Sequence, residues 1–249
     1  MRAIARGATT ATIFLLLFAA FTSSAAAQCS NTAPPSNTTV TCSGSSFTPV
    51  VAVAGSTGVT INVVPGASVS ASHNTAVPFP ILSVDQNSSI INNGTLSLSG
   101  GVGNGTNRGA AMLGSTNGNT LTNAAGATIT TTGAFNDGMA ANGSGNTLTN
   151  NGTITTAGPN AYGMSAAWGQ TNTGQLNNTL INTGTVSTSG SNARATSILG
   201  GSGTLLQTGS NIIGVANGGG GTNTVTLQGT GTASNPFVNF QTLMMQGTA

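Results

Sequence analysis

Few side chains in this chain could perform acid–base or nucleophilic chemistry. His73 is the only histidine and Asp85 is one of two aspartates, so a Ser-His-Asp triad can be assembled on paper from the many serines. The chain has no G-x-S-x-G motif, which would hold a serine as an exposed nucleophile. We therefore interpret His73 as a surface or corner residue. β-Helix enzymes that cleave polysaccharides use clustered charged residues, so the sequence predicts a protein that is not an enzyme.

Cofactor-binding patterns are also missing. The chain contains no lysine, so it has no phosphate-binding loop of the Walker type. Two glycine-rich stretches, 99–109 and 216–225, lack both the G-x-G-x-x-G spacing and the aspartates of calcium-binding repeats. We interpret them as wide, mobile corners, and we expect no cofactor or metal ion.

The two cysteines, Cys29 and Cys42, lie close together in CSNTAPPSNTTVTC. A metal site would need a second cysteine pair or a nearby histidine, and neither is present. In an exported chain the two thiols form a disulfide, which closes a loop of about 14 residues and stabilises the fold by roughly 3 kcal/mol in the entropic account.

Two features could bind a sugar or another surface. Tyr162 and Trp168, in NAYGMSAAWGQ, could form a stacking platform for a sugar ring, although a packed corner is favoured because Trp168 is the only tryptophan. A T-x-T pattern also recurs and predicts a regular outward array of hydroxyl groups. This candidate interaction face consists of Thr128, Thr130, Thr153, Thr155, Thr185 and Ser187.

The elements that position these side chains are defined by an internal repeat. TLTNNGTITTAG (147–158) recurs with small changes at 89–100, 120–133 and 179–190, and Ile, Val and Thr give it strand character. Equivalent positions predict two apolar interior ladders and one ladder of amides bonded from coil to coil. The ladders are Leu121, Leu148 and Leu180; Ile129, Ile154 and Val186; and Asn92, Asn123, Asn150 and Asn182.

A glycine marks the corner within each repeat. These glycines are Gly66, Gly94, Gly126, Gly152, Gly184 and Gly209. We expect each corner to need a positive φ, which Gly and Asn tolerate. A second apolar patch follows each repeat, so about three short strands and three corners form one coil.

Coils of about 25–32 residues that stack on one another form a parallel β-helix. The sequence therefore predicts an all-β, right-handed parallel β-helix over residues 45–249, with about seven coils. Residues 28–44 are expected to form an N-terminal Cys loop or cap. Residues 1–27 begin with two arginines, continue with an apolar run and end in the small residues Ala25–Ala27, so they are predicted to be a secretory signal peptide. The apolar run is too short to cross a bilayer, which a membrane anchor would have to do.

Charge is almost absent: the chain has four arginines, two aspartates and neither Lys nor Glu. Two of the arginines lie in the signal-peptide segment, so a basic nucleic-acid footprint is excluded. Stacking explains this composition, since a charge repeated in every coil would form a column of like charges about 4.8 Å apart.

The signal peptide, the Cys loop and the NNGTI-type coils, each followed by glycine and a G-[MI]-x-A patch, together resemble the passenger domain of a bacterial autotransporter (type V secretion). The stretch NPFVNFQTLMMQGTA (235–249) resembles coils that precede a C-terminal translocator barrel in this family. No alternating barrel strands follow it. We expect a fragment, a truncated product or a protein that leaves the cell by another route, with a translocator encoded elsewhere.

The resemblance implies an exported protein at the cell surface or outer membrane, or in the extracellular space. It implies adhesion or aggregation through neutral Thr, Ser and Asn faces, with host matrix, glycans or sister cells as partners and self-association as a further interaction. The T-x-T array also suggests a lattice-binding solenoid for ice or carbohydrate. A non-functional fragment of a larger autotransporter is the third alternative.

Overall fold

The structure is a computed structural model and describes residues 28–74, 77, 79–101, 103–166, 177–198, 202–208, 211–229 and 235–247. Every regular element within these ranges is a β-strand. The predicted signal peptide, Trp168 and Gly209 lie outside the described residues.

The strands follow one another in groups of three. The first three groups are β1 (Thr39–Cys42), β2 (Ser45–Ser46) and β3 (Val50–Val51); β4 (Thr60–Val63), β5 (Ser68–His73) and β6 (Phe79–Val84); β7 (Ser89–Asn92), β8 (Thr95–Gly100) and β9 (Gly109–Gly114). The next three are β10 (Thr120–Asn123), β11 (Thr128–Thr131) and β12 (Asn136–Ala141); β13 (Thr147–Asn150), β14 (Thr153–Thr156) and β15 (Tyr162–Ala166); β16 (Asn178–Asn182), β17 (Thr185–Thr188) and β18 (Arg194–Ile198). The last are β19 (Ser202–Thr208), β20 (Asn211–Ile213) and β21 (Val215–Asn217), then β22 (Thr222–Gln228), β23 (Phe237–Val238) and β24 (Thr242–Gln246).

Each strand pairs in parallel with the equivalent strand of the next group, which produces three sheets. Sheet A runs β1-β4-β7-β10-β13-β16-β19-β22-β24, sheet B runs β2-β5-β8-β11-β14-β17-β20, and sheet C runs β3-β6-β9-β12-β15-β18-β21-β23. The chain is therefore a parallel β-helix whose described part contains seven complete three-strand coils, as predicted. The crossover rule for parallel strands favours right-handed winding.

The interior ladder of sheet A has the predicted register. Leu121 pairs with Leu148, which pairs with Leu180, and all three are fully buried. The ladder continues beyond the regular repeats, through Val40, Ile61 and Ile90 on one side and Leu205 and Val225 on the other. Burial of one large aliphatic side chain per coil contributes about 1.5–3 kcal/mol for each residue.

Sheet B has the second predicted ladder. Ile129 pairs with Ile154, and Ile154 pairs with Val186. These side chains point into the coil and are fully buried, while the neighbouring threonines point outward. The alternation of apolar and polar residues along each strand therefore fixes which face of sheet B meets solvent.

The predicted asparagine ladder lies at the end of the sheet A strands. Asn92 donates to Asn123, Asn123 to Asn150, and Asn150 to Asn182, each from Nδ2 to Oδ1 at 2.8 Å. All four side chains are fully buried. The two inner amides, Asn123 and Asn150, each bond to equivalents on both sides, which is what allows a polar residue at this depth.

A second asparagine ladder, which the repeat pattern did not indicate, precedes the sheet A strands. Asn146 Oδ1 accepts the backbone N–H of Asn119 at 2.8 Å, and Asn178 Oδ1 accepts that of Asn146 at 2.9 Å. The series begins with Ser88, whose backbone N–H donates to Asn119 Oδ1 at 3.1 Å. These side chains replace backbone acceptors where the chain turns between sheets C and A.

The prediction of positive φ at the corner glycines is correct at Gly66 (78°) and Gly126 (79°) and wrong at Gly94, Gly152 and Gly184. The shorter corners at the latter three bring the glycine against the preceding coil. A Cβ at Gly94 would collide with the carbonyl oxygen of Ala67, for example. Glycine is required there by lack of space and not by backbone conformation.

The N-terminal end of the helix is covered by the chain that precedes it. Cys29 and Cys42 form a disulfide with an S–S distance of 2.02 Å. The backbone N–H of Ser30 donates to Thr41 at 2.9 Å, and that of Val51 donates to Thr32 at 2.9 Å. Because β1 begins at Thr39, the first coil starts inside the segment assigned to a Cys loop, and residues 28–37 lie across its edge.

Coil length is more variable than predicted. The coil from Thr39 to Thr60 and those from Thr204 to Thr224 and Thr224 to Thr242 are shorter than 25 residues. These coils have shorter corners or shorter sheet B and sheet C strands, while the sheet A pairing is preserved throughout.

Candidate interaction faces

The outward face of sheet B carries the hydroxyl array that the T-x-T pattern predicted. Thr128, Thr153 and Thr185 pair in one row, and Thr130, Thr155 and Ser187 pair in the next. All six side chains are partly or fully exposed. The rows continue at Thr95 and Ser97, and Thr128 donates to Thr95 between hydroxyl groups at 3.2 Å.

Sheet A carries a longer hydroxyl row that sequence reasoning missed. At the outward position that pairs with Thr147 or its equivalent in every strand, the residue is Thr or Ser, and each side chain is partly or fully exposed. We call this row the sheet A hydroxyl column: Thr39, Thr60, Ser89, Thr120, Thr147, Thr179, Thr204, Thr224 and Thr242. With strands about 4.8 Å apart, the column is roughly 38 Å long.

The second outward row of sheet A is mixed. It contains threonines, such as Thr122 and Thr149, and apolar residues, such as Ile91 (36% exposed) and Met244 (43% exposed). The face therefore offers a straight line of hydroxyl groups beside scattered apolar side chains. Such a face can donate and accept hydrogen bonds and also bury apolar surface.

A shallow groove follows part of the sheet A hydroxyl column. Its lining includes Asn177, Thr179, Thr204, Thr222 and Thr224. Its volume is about 280 Å³, which is at the small end of the range for ligand sites. It could contact one unit of an extended ligand lying along the rod.

Within the part of the chain that the structure describes, charged residues are confined to the side of sheet C. No strand of sheets A or B contains Asp, Glu, Lys or Arg. Asp85 directly follows β6, Arg108 directly precedes β9, and Asp137 and Arg194 lie in β12 and β18. The central strands of sheet C are buried along their whole length, unlike those of sheets A and B.

Two of these charges form a buried ion pair. Arg108 donates to Asp137 from Nε at 2.9 Å and from Nη2 at 2.6 Å, and its guanidinium lies 4.2 Å from the Tyr162 ring centroid. Burial raises the pKa of the Asp137 carboxyl above its ordinary value, and Arg108 opposes this rise. Burial would lower the pKa of Arg108, but Asp137 outweighs it and the pKa is raised.

This pair links successive coils. Asp137 also accepts the backbone N–H of Tyr162 at 2.7 Å, and Arg108 also donates to the carbonyl of Asn160 at 2.8 Å. Arg194 lies 5.4 Å from the Tyr162 ring centroid. Tyr162 is only 5% exposed and packs between coils. This agrees with the packed corner that the sequence favoured over a sugar-stacking platform.

His73 was expected at the surface or in a corner; the surface position is wrong, whereas the residue does end β5 beside the turn that leads to β6. Its side chain is fully buried, with Nδ1 2.9 Å from Asn136 Oδ1 and Nε2 3.0 Å from the carbonyl oxygen of Val77. Asp85 is not its partner, because the Asp85 carboxylate accepts the backbone N–H of Gly55. Only tertiary packing reveals this, since Asn136 lies 63 residues away in the sequence.

The glycine-rich stretches form corners only in part. In 99–109, residues 99–100 end β8 and residue 109 begins β9, and between them Asn104 Oδ1 accepts the backbone N–H of Thr106 at 3.0 Å. In 216–225, residues 218–221 form the corner, whereas the flanking residues belong to β21 and β22. Among the described residues, no three His, Cys, Asp or Glu side chains converge as metal ligands would.

No helix in the described part of the chain has the length and apolar character needed to cross a membrane. The fold and its faces define the chain as a neutral parallel β-helical rod. Comparison with known proteins adds no relative: no protein-family model, no curated protein and no solved structure matches the chain.

Proposed function

We propose that the chain is an exported rod that acts in adhesion or aggregation at the cell surface, like an autotransporter passenger. Its partners would be host matrix, glycans or sister cells, contacted through the hydroxyl faces. The observation that carries this proposal is the sheet A hydroxyl column, which is unbroken over all nine strands of the sheet.

The character of the faces supports short-range contacts. A partner that lies along sheet A meets hydroxyl groups, methyl groups and a few apolar side chains, and no charge. Hydrogen bonds between neutral groups contribute about 0.5–1.5 kcal/mol each, so useful affinity requires many contacts in a row. A column of nine equivalent residues provides such a row for an extended glycan or for another rod.

A lattice-binding function, for ice or a crystalline carbohydrate, is the second candidate. The same column favours it, because hydroxyl groups that repeat at the strand spacing form a regular array. Lattice binding differs from adhesion in its ligand, so the same wild-type and variant proteins, assayed against both kinds of ligand, distinguish the two functions.

The test is binding to a glycan and matrix panel, and aggregation of cells that display the chain, for the wild type and three variants. Thr147→Lys places a bulky charge in the sheet A hydroxyl column, Thr153→Lys does so on sheet B, and Asn104→Lys does so in an exposed corner. We expect Thr147→Lys to reduce binding about tenfold or more, because it removes one or two hydrogen bonds to the partner and forces a charge to lose its water on binding. Asn104→Lys should bind like the wild type.

Salt dependence provides a second readout. Wild-type binding should change less than about twofold between low and physiological NaCl, whereas an electrostatic binder loses affinity steeply. A steep loss with salt, or equal binding by all three lysine variants, would contradict the proposal. Inhibition of ice growth without cell or glycan binding would favour the lattice-binding function.

A further inference from the structure

The shallow groove beside the sheet A hydroxyl column carries polar groups that the rod itself does not use. It spans β16, β19 and β22, and its polar side chains are exposed or half-buried: Asn177, Thr179, Thr204, Thr222 and Thr224. Among the described residues, none forms a hydrogen bond with these side chains. Elsewhere in the column neighbouring hydroxyl groups bond each other, since the hydroxyl oxygens of Thr60 and Ser89 lie 3.1 Å apart. The groove therefore leaves its donors and acceptors available to a ligand.

The positions that precede the column explain why polar groups gather here. Two residues before the column residue, the coils of β16 and β22 carry Asn177 and Thr222, whereas the coil of β13 carries Gly145, which offers no side chain. β22 begins at Thr222, so its alternation directs both Thr222 and Thr224 outward. Asn177 is exposed and has a positive φ of 60°. The groove therefore lies where a second polar side chain widens the column.

The chemistry of the groove matches a neutral sugar. Each threonine hydroxyl both donates and accepts, and Asn177 offers an amide oxygen and two N–H donors. The threonine methyl groups present apolar surface to the C–H groups of a sugar ring. Among the described residues, no charged side chain lines the groove. A carboxylate or sulfate on the ligand would therefore lose water without gaining a counter-charge.

The shape of the groove favours a single sugar unit over a lattice surface. Its volume is about 280 Å³, and a concave site contacts a small ligand from more than one side. Thr179, Thr204 and Thr224 pair in sequence, so at the strand spacing their hydroxyl groups extend over about 9.6 Å. A flat ice plane would reach only the edges of such a groove, whereas a sugar ring can enter it.

We propose that this groove binds one neutral hexose unit and determines which glycans the rod recognises. The inference rests on the proposed adhesion function and assigns its ligand class, which is uncharged hexoses bound across β16, β19 and β22. Thr204 lies at the centre of the row of three hydroxyl groups. Other members of the sheet A hydroxyl column contact the sugar units that follow.

The experiment uses the full chain with isotope-labelled threonine methyl groups. It is titrated with the neutral disaccharides maltose, cellobiose, mannobiose and lactose, and with sialyl-lactose as the charged counterpart of lactose. Methyl shifts in the NMR spectrum locate the sugar, and their concentration dependence gives the dissociation constant. Thr204→Val removes one groove hydroxyl and keeps the shape of the side chain. Thr132→Val, at an exposed position between β11 and β12, is the matched control.

We expect at least one neutral disaccharide to shift the methyl signals of Thr179, Thr204 and Thr224. Thr204→Val should weaken its binding about fivefold, the effect of one neutral hydrogen bond. Thr132→Val should bind like the wild type, and sialyl-lactose should bind more weakly than lactose.

The proposal is overturned if no disaccharide binds, if the shifted methyl groups lie elsewhere on the rod, if Thr204→Val binds like the wild type, or if sialyl-lactose binds more tightly than lactose. The adhesion function is judged separately, by cell aggregation and by the effect of Thr147→Lys on binding to the glycan and matrix panel. The groove can therefore fail this test while adhesion through the column stands.

Discussion

At the scale of single residues, the asparagine ladder shows how a polar side chain is accommodated inside the rod. A buried amide without partners would cost about 1–3 kcal/mol for each unsatisfied group. Asn123 avoids this because its Oδ1 accepts from Asn92 and its Nδ2 donates to Asn150. Each member depends on the identity of its neighbours, so the ladder couples residues that lie about 30 positions apart.

This coupling predicts non-additive mutations. Asn123→Val and Asn150→Val should each lower the free energy of unfolding by about 3 kcal/mol, since each deprives two ladder groups of their amide partner. The double variant also leaves only two such groups, so it should lose about as much as one single variant. Urea denaturation of the three proteins measures this, with Thr149→Val, on the outward face, as a control expected to change stability by about 0.5 kcal/mol or less. Losses that simply add would contradict the ladder.

The interior ladders could be predicted residue by residue because equivalent positions recur in the repeat. Leu121, Leu148 and Leu180 occupy the same place in TLTN-type motifs, and the structure pairs them directly. The environment of His73 could not be predicted. Its partner Asn136 lies two coils further along the rod, so three stacked coils bring the two residues together, and no local pattern marks either residue.

At the scale of elements, the two ends of the helix differ. At the N-terminal end, residues 28–37 cover the first coil, and the Cys29–Cys42 disulfide fixes this segment to β1. At the other end, every residue of β24 is exposed. A parallel β-helix exposes unpaired backbone groups at an uncovered edge, so the N-terminal cover protects the coil on which the next ones stack.

The disulfide should therefore stabilise the N-terminal coil in particular. The variant Cys29→Ala/Cys42→Ala should lose roughly 3 kcal/mol of unfolding free energy, the entropic value for a loop of about 14 residues. Hydrogen exchange should become faster first in β1. Dithiothreitol should reproduce both effects in the wild type and leave the variant unchanged; a reductant effect on the variant, or none on the wild type, would contradict this role.

The corners show where sequence reasoning about elements stops. Gly66 and Gly126 have the predicted positive φ, but Gly152 is required because a Cβ would collide with the carbonyl oxygen of Ala127 in the adjacent coil. The sequence shows a glycine in both cases and does not distinguish the two reasons for it. Only the length of the corner, and hence the distance to the coil below, separates the two causes.

At the scale of the whole molecule, the rod has neutral faces and a charged side. Part of this was predictable, because four charged residues remain after the signal-peptide segment and the T-x-T motif was visible. The sheet A hydroxyl column was not predicted, since Thr39, Thr204 and Thr242 lie in coils that lack the TLTN motif. Their equivalence becomes apparent only through strand register.

The coil is the unit of stability in such a rod, which predicts that an added coil will be tolerated. Insertion of a second copy of residues 147–178, which contain no charged side chain, before Thr179 should give a folded protein that is about 4.8 Å longer and at least as stable in thermal unfolding. Small-angle scattering measures the length. The same insert with Leu148→Asp in the added copy should be destabilised, because a buried carboxylate would interrupt the sheet A ladder. Equal stability of the two inserts would contradict a coil-by-coil fold.

The absence of charge on sheets A and B also affects how such a gene can change in length. Recombination between nearly identical repeats copies or deletes whole coils, and any charged residue on a copied coil would be multiplied along the rod. On sheets A and B the copied strands carry no charged side chain, so their columns become longer without accumulating repulsion. A coil such as 147–178, which has no charged side chain on sheet C either, can therefore be duplicated without a compensating substitution elsewhere in the chain.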